Sequence, residues 1–289
     1  MPDPLLAFVV KLPLALAVFL LIAYAGTVSK RIAGVLLTFP ILNGIAIIAS
    51  PDPVRVADAI YPLVIFNCAL FALLISFPQP LRGVMVPRHI LLLLRVALWG
   101  LAWFAGAYLI TRLRESLPGG GILLIGATIF AIIFAYVFWS AQAPTEDAKP
   151  RHHAAAFLSF WASATGLWRI ALFGLAYGCL YFAARAALDE KWVGMASALP
   201  LPGLFALATL IDDAEAKPHA TAAALQPMRD TVFLGPLLVI PFNWTFAHAL
   251  VALPPEAFAL RYLLLLALWT LAALAVVLMV PRLARYFGR

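Results

Sequence analysis

The chain has 289 residues, of which 65% are apolar and only 11% are charged, and its mean hydropathy is +1.00. Globular domains carry about 25% charged residues, so this composition excludes a water-soluble domain and indicates a protein that uses lipid as its solvent. The net charge of +7 needs no nucleic-acid partner, because lysine and arginine beside anionic lipid headgroups account for it.

Apolar stretches of about 20 residues recur along the chain, and a helix of that length crosses a hydrocarbon core of roughly 30 Å. The sequence therefore predicts an all-α, polytopic membrane protein with about nine transmembrane helices. The predicted spans are residues 5–26, 32–50, 55–77, 89–111, 120–143, 167–187, 192–211, 231–252 and 258–280. Residues 152–187 leave the count open, since they fit one long helix, an interfacial helix plus a span, or two spans separated near Gly166.

The two halves of the chain repeat each other along three pairs of predicted spans. Residues 93–114 and 263–284 share ten identities at a constant offset of 170, and two further pairs keep offsets of 160 and 176. The matches are Ala97-Leu98-Trp99 with Ala267-Leu268-Trp269 and Arg112-Leu113 with Arg282-Leu283 in the first pair, Gly34, Pro40 and Asp52 with Gly194, Pro200 and Asp212 in the second, and Phe66-Asn67 with Phe242-Asn243 in the third. A constant offset within each pair indicates a duplicated unit.

The duplication divides the chain into a first four-helix repeat at residues 1–116, a linking helix with a charged loop at 117–151, and a second four-helix repeat at 152–289. A single helix between the repeats turns the second one upside down, so we predict inverted topology. Inverted repeats are typical of secondary transporters, which hold their substrate near the bilayer midplane at the repeat interface.

Lysine and arginine are distributed unevenly between the loops of a nine-span protein, with eleven on one face and seven on the other. Ten spans would nearly remove this bias, so the bias favours nine. Because cytoplasmic loops carry the excess of basic residues, we predict a protein of the inner (cytoplasmic) membrane with its N-terminus outside and its C-terminus in the cytoplasm.

Asn67 and Asn243 lie at matching points midway along two apolar stretches. A side-chain amide costs free energy in hydrocarbon unless a partner satisfies it, so the pair predicts a polar site. Prolines in neighbouring spans free backbone carbonyls that can face a cavity. The predicted substrate-binding residues are Thr38, Pro40, Asn43, Asn67, Pro200, Pro202, Pro241, Asn243 and Thr245. The alternative is that the prolines only kink helices and the two amides bond each other or a backbone carbonyl.

Charged residues within the spans have simpler interpretations. Four basic residues lie within about two turns of predicted span ends, where long side chains reach the membrane interface: Lys11, Arg95, Arg169 and Arg261. Asp58 and Asp230 each come early in a span with a matched asparagine, where they complement the helix dipole or serve a coupling ion. No Asp or Glu lies at mid-span, which argues against a proton-coupled cation exporter of the small multidrug type.

Motifs for soluble chemistry are absent from the sequence. It contains no phosphate-binding loop, no dinucleotide fingerprint and no cysteine or histidine pair at metal-ligand spacing. The remaining candidates for a membrane-embedded enzyme are scattered: Asp58, Asp212, Asp213, Asp230 and His219. We therefore predict no catalytic residues, no metal, no cofactor and no enzyme.

The stretch from Lys30 to Pro40, which follows the first apolar helix, contains Ala33-Gly34 and Phe39-Pro40. It resembles the Ala-Gly-x-x-x-x-Phe-Pro segment of small GlpM-type inner-membrane proteins. The resemblance implies two such four-helix units fused through a linking helix, with Val193-Gly194 and Leu199-Pro200 replacing the two dipeptides in the second half. The duplicated, inverted unit also looks like the drug/metabolite transporter architecture, by analogy at the level of the fold.

Two functions fit these observations. The first is a transporter or permease for a small polar organic solute, with alternating access between the repeats and the two asparagines as contacts in a midplane cavity. The second is a non-transporting scaffold or accessory subunit of an envelope or polysaccharide assembly, which predicts a dry core with both asparagines paired inside the protein. In either case the lipid bilayer is the main partner, and we expect a monomer or a homodimer.

Overall fold

The computed structural model describes residues 4–38, 53–76, 87–116, 154–187, 199–215, 225–232, 245–254 and 257–287. Every regular element in these ranges is an α-helix, which confirms the predicted all-α class for the described part of the chain. The helices are α1 Pro4–Val28, α2 Lys30–Thr38, α3 Pro53–Ser76, α4 Arg88–Ser116, α5 Ala154–Ala162, α6 Ala164–Ala187, α7 Leu201–Glu215 and α8 Phe258–Phe287. Residues 225–232 and 245–251 are also helical.

Among the described residues, three helices are long and apolar enough to cross a membrane, at Lys11–Val28 in α1, His89–Leu113 in α4 and Ala259–Met279 in α8. They carry large exposed apolar side chains, such as Leu101, which is 69% exposed, and Leu263, which is 61% exposed. Lipid solvates such surfaces and water does not, so the described helices fit the predicted membrane class. The number of nine spans, the inner membrane and the topology stay predictions, and the predicted span 120–143 lies outside the described residues.

A serine separates each of two helix pairs. Ser29 stands between α1 and α2, and its hydroxyl oxygen accepts a hydrogen bond from the backbone N–H of Ile32 at 3.4 Å, as an N-cap does. Ser163 is the corresponding N-cap between α5 and α6. Its hydroxyl donates to the Phe160 carbonyl at 2.5 Å and accepts from the Gly166 N–H at 3.3 Å. One side chain thus ends one helix and begins the next.

The break at Ser163 excludes one long helix for residues 154–187, which is one of the three alternatives that the sequence left open. Helix α5 has nine residues, or about 14 Å at 1.5 Å per residue, which is less than half of the hydrocarbon thickness. The 24 residues of α6 extend about 36 Å at the same rise, so α6 matches a span in length. The described part of this segment is therefore a short helix followed by a long one. Gly166 permits the close turn, because a Cβ there would lie 2.5 Å from both the carbonyl oxygen of Phe160 and the Cα of Trp161.

The chain packs as two compact units. In the described part, unit one comprises residues 4–33, 87–105, 154–187 and 199–215, and unit two comprises 34–38, 53–76, 106–116, 225–232, 245–254 and 257–287. Each unit therefore takes helices from both halves of the sequence. The division of the sequence at 117–151 stays a prediction, because residues 117–150 lie outside the described ranges.

Aromatic rings hold unit one together. In it, α1 packs on α6 and α7, and α6 packs on α5 and α7. The ring of Phe19 on α1 stacks on Phe173 of α6 at 5.1 Å between centroids, and meets Trp161 of α5 edge-on at 5.3 Å. Phe205 of α7 is edge-on to Phe173 at 5.3 Å. These rings have 7% or less of their surface exposed, so four helices share a dry aromatic core.

Unit two depends on close approach at small residues. A Cβ on Gly34 of α2 would lie 2.7 Å from the carbonyl oxygen of Met228 and 2.8 Å from Cβ of Thr231, both in the segment 225–232. On Gly106 of α4 it would collide with the ring of Phe66 from α3. Glycine leaves room for the backbone of segment 225–232 beside α2 and for the Phe66 ring beside α4.

Candidate functional site

The candidate site of unit one is built at the end of α7. Every residue from 201 to 211 of this helix is buried, as expected of a helix that is apolar all round. Pro200 directly precedes the helix and Pro202 is its second residue, and the Pro200 carbonyl accepts from the Leu204 N–H at 2.9 Å. Proline suits a first turn, where the missing N–H has no partner to lose. The buried helix then ends in a pair of acids, Asp212 and Asp213.

Arg169 of α6 binds both acids. Its Nη2 donates to Oδ2 of Asp212 at 2.6 Å and to Oδ1 of Asp213 at 3.0 Å. The side chains of Arg169 and Asp212 are 9% and 13% exposed, whereas that of Asp213 is 49% exposed. Charge-assisted bonds of this length in a largely dry environment are strong, and the shorter one to Asp212 fixes the position of the guanidinium.

The junction between α5 and α6 provides the other wall of the site. Because Ser163 and Gly166 turn the chain sharply, Phe160 at the end of α5 comes back beside Arg169, one turn after Gly166 on α6. The guanidinium carbon lies 5.2 Å from the centroid of the Phe160 ring. The ring face attracts the cation and shields it from water.

Two buried polar atoms at this site lack a hydrogen-bond partner in the part of the chain that the structure describes. They are Nη1 of Arg169 and the hydroxyl oxygen of Thr209, a residue that is only 1% exposed. Thr209 stands one turn, or about 6 Å, before Asp213 on the same face of α7. A buried donor without a partner costs roughly 1–3 kcal/mol, so both groups favour a water or a ligand that supplies an oxygen acceptor.

None of the sequence-predicted site residues that the structure describes takes part in the contacts of Arg169 with Asp212, Asp213 and Phe160. Asn67 is buried at 8% exposure in α3 and takes part in an interaction within the protein. Thr38 is the last residue of α2, and Thr245 is exposed at the start of the segment 245–251. Pro200 and Pro202 begin α7 rather than interrupt a described helix. Pro40, Asn43, Pro241 and Asn243 lie outside the described residues.

The basic residues near the span ends differ in burial, because the three arginines pack inside the protein, and their position at the membrane interface stays a prediction. Arg95 and Arg261 are each 2% exposed and Arg169 is 8% exposed, whereas Lys11 is exposed as expected. Nη2 of Arg261, on α8, donates to the carbonyl of Leu253 at 2.5 Å and to that of Leu250 at 3.2 Å. It thus satisfies carbonyls at the carboxyl end of the segment 245–251.

A partly buried ion pair lies in the described part of unit two. Arg229 donates to Oδ1 of its neighbour Asp230 through Nη2 at 3.0 Å and through Nε at 3.1 Å, and the two side chains are 11% and 14% exposed. Asp230 had been predicted to complement a helix dipole or to serve a coupling ion. The pairing with Arg229 accounts for its charge in the structure.

The sequence carried a signal for the Arg169 cluster that periodicity alone does not reveal. Arg169 stands near the start of predicted span 167–187, and Asp212 directly follows predicted span 192–211. Consecutive spans run in opposite directions, so the start of one and the end of the next reach the same membrane face. Opposite charges at those two ends predict a pair. Within the described ranges, no group of three or more His, Cys, Asp or Glu residues is placed to hold a metal ion.

No protein-family model matches the chain, and the comparisons with curated proteins and with solved structures gave no significant match. The GlpM-type resemblance therefore stays a prediction drawn from the motif at Ala33-Gly34 and Phe39-Pro40.

Proposed function

We propose that the protein is a membrane transporter or permease for a small polar organic solute. The observation that carries the proposal is the cluster of Arg169 with Asp212 and Asp213, whose guanidinium is buried while its Nη1 has no described partner. Ionisable groups are expensive among apolar helices and usually mark a solute or ion pathway. If the ion pair had only a structural role, we would expect every donor of its buried guanidinium to be hydrogen-bonded.

The internal repeat supports the same proposal. Helices α4 and α8 begin at residues 88 and 258, which keeps the sequence offset of 170, and they have 29 and 30 residues. A duplicated frame of long helices suits alternating access, in which repeats move against each other around a solute. In this proposal Asn67 and Asn243 remain the predicted contacts at mid-span.

Flux from proteoliposomes tests the proposal. Vesicles are loaded with a mixture of small polar metabolites and the compounds released are measured by mass spectrometry. We expect the wild type to release at least one compound faster than protein-free vesicles, and Arg169→Gln to lose that release. Arg112→Gln is the matched control, because it removes an equal charge from an exposed side chain. If neither protein releases any compound above the protein-free rate, the proposal fails.

A second candidate, a non-transporting scaffold, is favoured by the state of Asn67. Asn67 is buried and takes part in an interaction within the protein, as a static core requires. The close glycine contacts at Gly34 and Gly106 fit rigid packing as well. A scaffold predicts no flux in the vesicle assay, and it predicts that substitutions at Arg169 act on stability alone.

A further inference from the structure

We infer that the Arg169 cluster binds a zwitterionic solute of amino-acid type, with its carboxylate on Arg169 and Thr209 and its ammonium group on Asp213. This inference rests on the proposed function and names the substrate class of the same site. It depends on three groups of unit one, which are Nη1 of Arg169, the hydroxyl of Thr209 and the carboxylate of Asp213.

The carboxylate end is defined by the two unsatisfied groups. Nη1 of Arg169 and the hydroxyl of Thr209 are buried, and neither has a hydrogen-bond partner among the described residues. Both can donate, and a carboxylate offers two acceptor oxygens that guanidinium and hydroxyl groups bind well. A ligand carboxylate would therefore remove two desolvation costs at once.

The ammonium end is defined by the difference between the two acids. Asp212 is 13% exposed and lies 2.6 Å from Nη2 of Arg169, so it holds the guanidinium in place. Asp213 is 49% exposed and lies at 3.0 Å, so it can turn towards a ligand without leaving Arg169 unpaired. An exposed carboxylate beside a buried donor matches the two charged ends of a zwitterion.

Charge balance decides against simpler ions. One guanidinium and two carboxylates give the cluster a formal charge of −1. A simple anion would add to that charge in an apolar environment, which is costly. A simple cation would neutralise it but leave Nη1 of Arg169 and the hydroxyl of Thr209 without acceptors. A zwitterion satisfies all three groups and leaves the net charge unchanged.

Thermal stabilisation of the full chain in detergent tests this inference with three probes at equal concentration and ionic strength: glycine, acetate and methylammonium. Glycine carries both charged groups and no side chain, and each of the others carries one. We expect glycine to raise the melting temperature and the other two to have a clearly smaller effect. Thr209→Val and Asp213→Asn should each weaken glycine binding by roughly tenfold, the loss expected for one hydrogen bond to a charged group.

Two controls separate binding from folding. Thr209→Val removes a hydroxyl with no described bond, so without ligand it should melt no lower than the wild type. Thr270→Val is the matched control, because it removes a hydroxyl on α8 that is exposed and bonded to the Leu266 carbonyl, and it should bind glycine as the wild type does.

The inference is overturned if acetate or methylammonium alone stabilises the protein as strongly as glycine, if glycine has no effect, or if Thr209→Val binds glycine normally. These outcomes are distinct from failure of the proposed function. If another solute is released in the vesicle assay and glycine does not bind, the proposed transport function is supported and only the zwitterionic substrate class is contradicted.

Discussion

Arg169 and Arg261 are both buried arginines on apolar helices, but the protein satisfies them differently. Arg169 binds two carboxylates, one of which is half exposed, whereas Arg261 donates to two backbone carbonyls. An arginine that donates to the carbonyls at a helix end stabilises the fold. The half-exposed carboxylate beside Arg169 is a charged group that a solute can reach, which is why the proposed site is placed there.

The two acids of the Arg169 cluster should differ in their effect on stability. Asp212→Asn removes the shorter and drier half of the pair, and we expect it to lower the free energy of unfolding by roughly 1–3 kcal/mol. Asp213→Asn removes a half-exposed partner and should lower it by less than about 1 kcal/mol. Melting of the two variants in the same detergent gives the comparison. An equal or larger loss for Asp213→Asn would contradict this division of roles.

Arg261→Gln should destabilise unit two, because it withdraws a charged donor from the carbonyls of Leu250 and Leu253. We expect a loss of roughly 1.5–3 kcal/mol, seen as a lower melting temperature. Arg282→Gln, on the same helix but exposed, removes the same charge and should melt within error of the wild type. Equal melting of both variants would show that the carbonyl contacts contribute nothing.

At the scale of elements, apolar length predicted the long helices well. The predicted spans 5–26, 55–77 and 89–111 agree with α1, α3 and α4 to within a few residues. Helix α8 starts at the predicted residue 258 and extends past 280 to Phe287. Length and hydropathy are properties of the segment alone, so the sequence contains them. The sequence could not decide among one long helix, a short helix plus a span, and two spans for residues 152–187. The end of α5 depends on the hydrogen bonds of the Ser163 hydroxyl and on the close contact at Gly166, which are tertiary details.

The partners of polar side chains were harder to predict than the helices that carry them. The buried state of Arg169 depends on α7 ending beside α6, and that of Arg261 on the carbonyls of Leu250 and Leu253 lying beside α8. Both are consequences of tertiary packing. Sequence position near a span end permits either a lipid-facing or a protein-facing arginine, and only the packed helices decide between them.

Gly34, the glycine of the GlpM-like motif, should tolerate no side chain. Gly34→Ala would force a Cβ against the Met228 carbonyl and Thr231, and we expect it to cost roughly 1–3 kcal/mol of stability. Gly100→Ala is the matched control on α4, where a Cβ would meet nothing within 4 Å. Because alanine favours a helix over glycine by up to about 1 kcal/mol, that variant should melt at or above the wild type. Destabilisation of the same size in both variants would contradict the packing argument.

At the scale of the whole molecule, the sequence halves and the compact units do not coincide. Unit one joins α1 from the first half to α5, α6 and α7 from the second, through the rings of Phe19, Phe173 and Phe205. The sequence repeat describes the similarity between the first and the second half of the chain. Packing describes which helices need each other, and the sequence does not reveal that directly because leucine-rich and alanine-rich faces fit many partners.

The halves should therefore not fold independently. Expressed alone, residues 152–289 lack α1, so α6 and α7 lose the partner that covers Phe173 and Phe205. We expect neither 1–151 nor 152–289 to melt cooperatively in detergent by itself. Co-expressed, they should purify together through a tag on either fragment. Cooperative melting of 152–289 alone, at the temperature of the full chain, would contradict the assignment of α1 to unit one.

The most direct test of the central claim is solute release from proteoliposomes by Thr209→Val, measured with the melting temperature of the same preparation. The buried hydroxyl has no described bond, so a solute site predicts slower release with stability equal to or above that of the wild type. Thr270→Val should change neither quantity. Release by Thr209→Val at the wild-type rate, with unchanged or higher stability, would show that no solute uses this hydroxyl and would contradict the account.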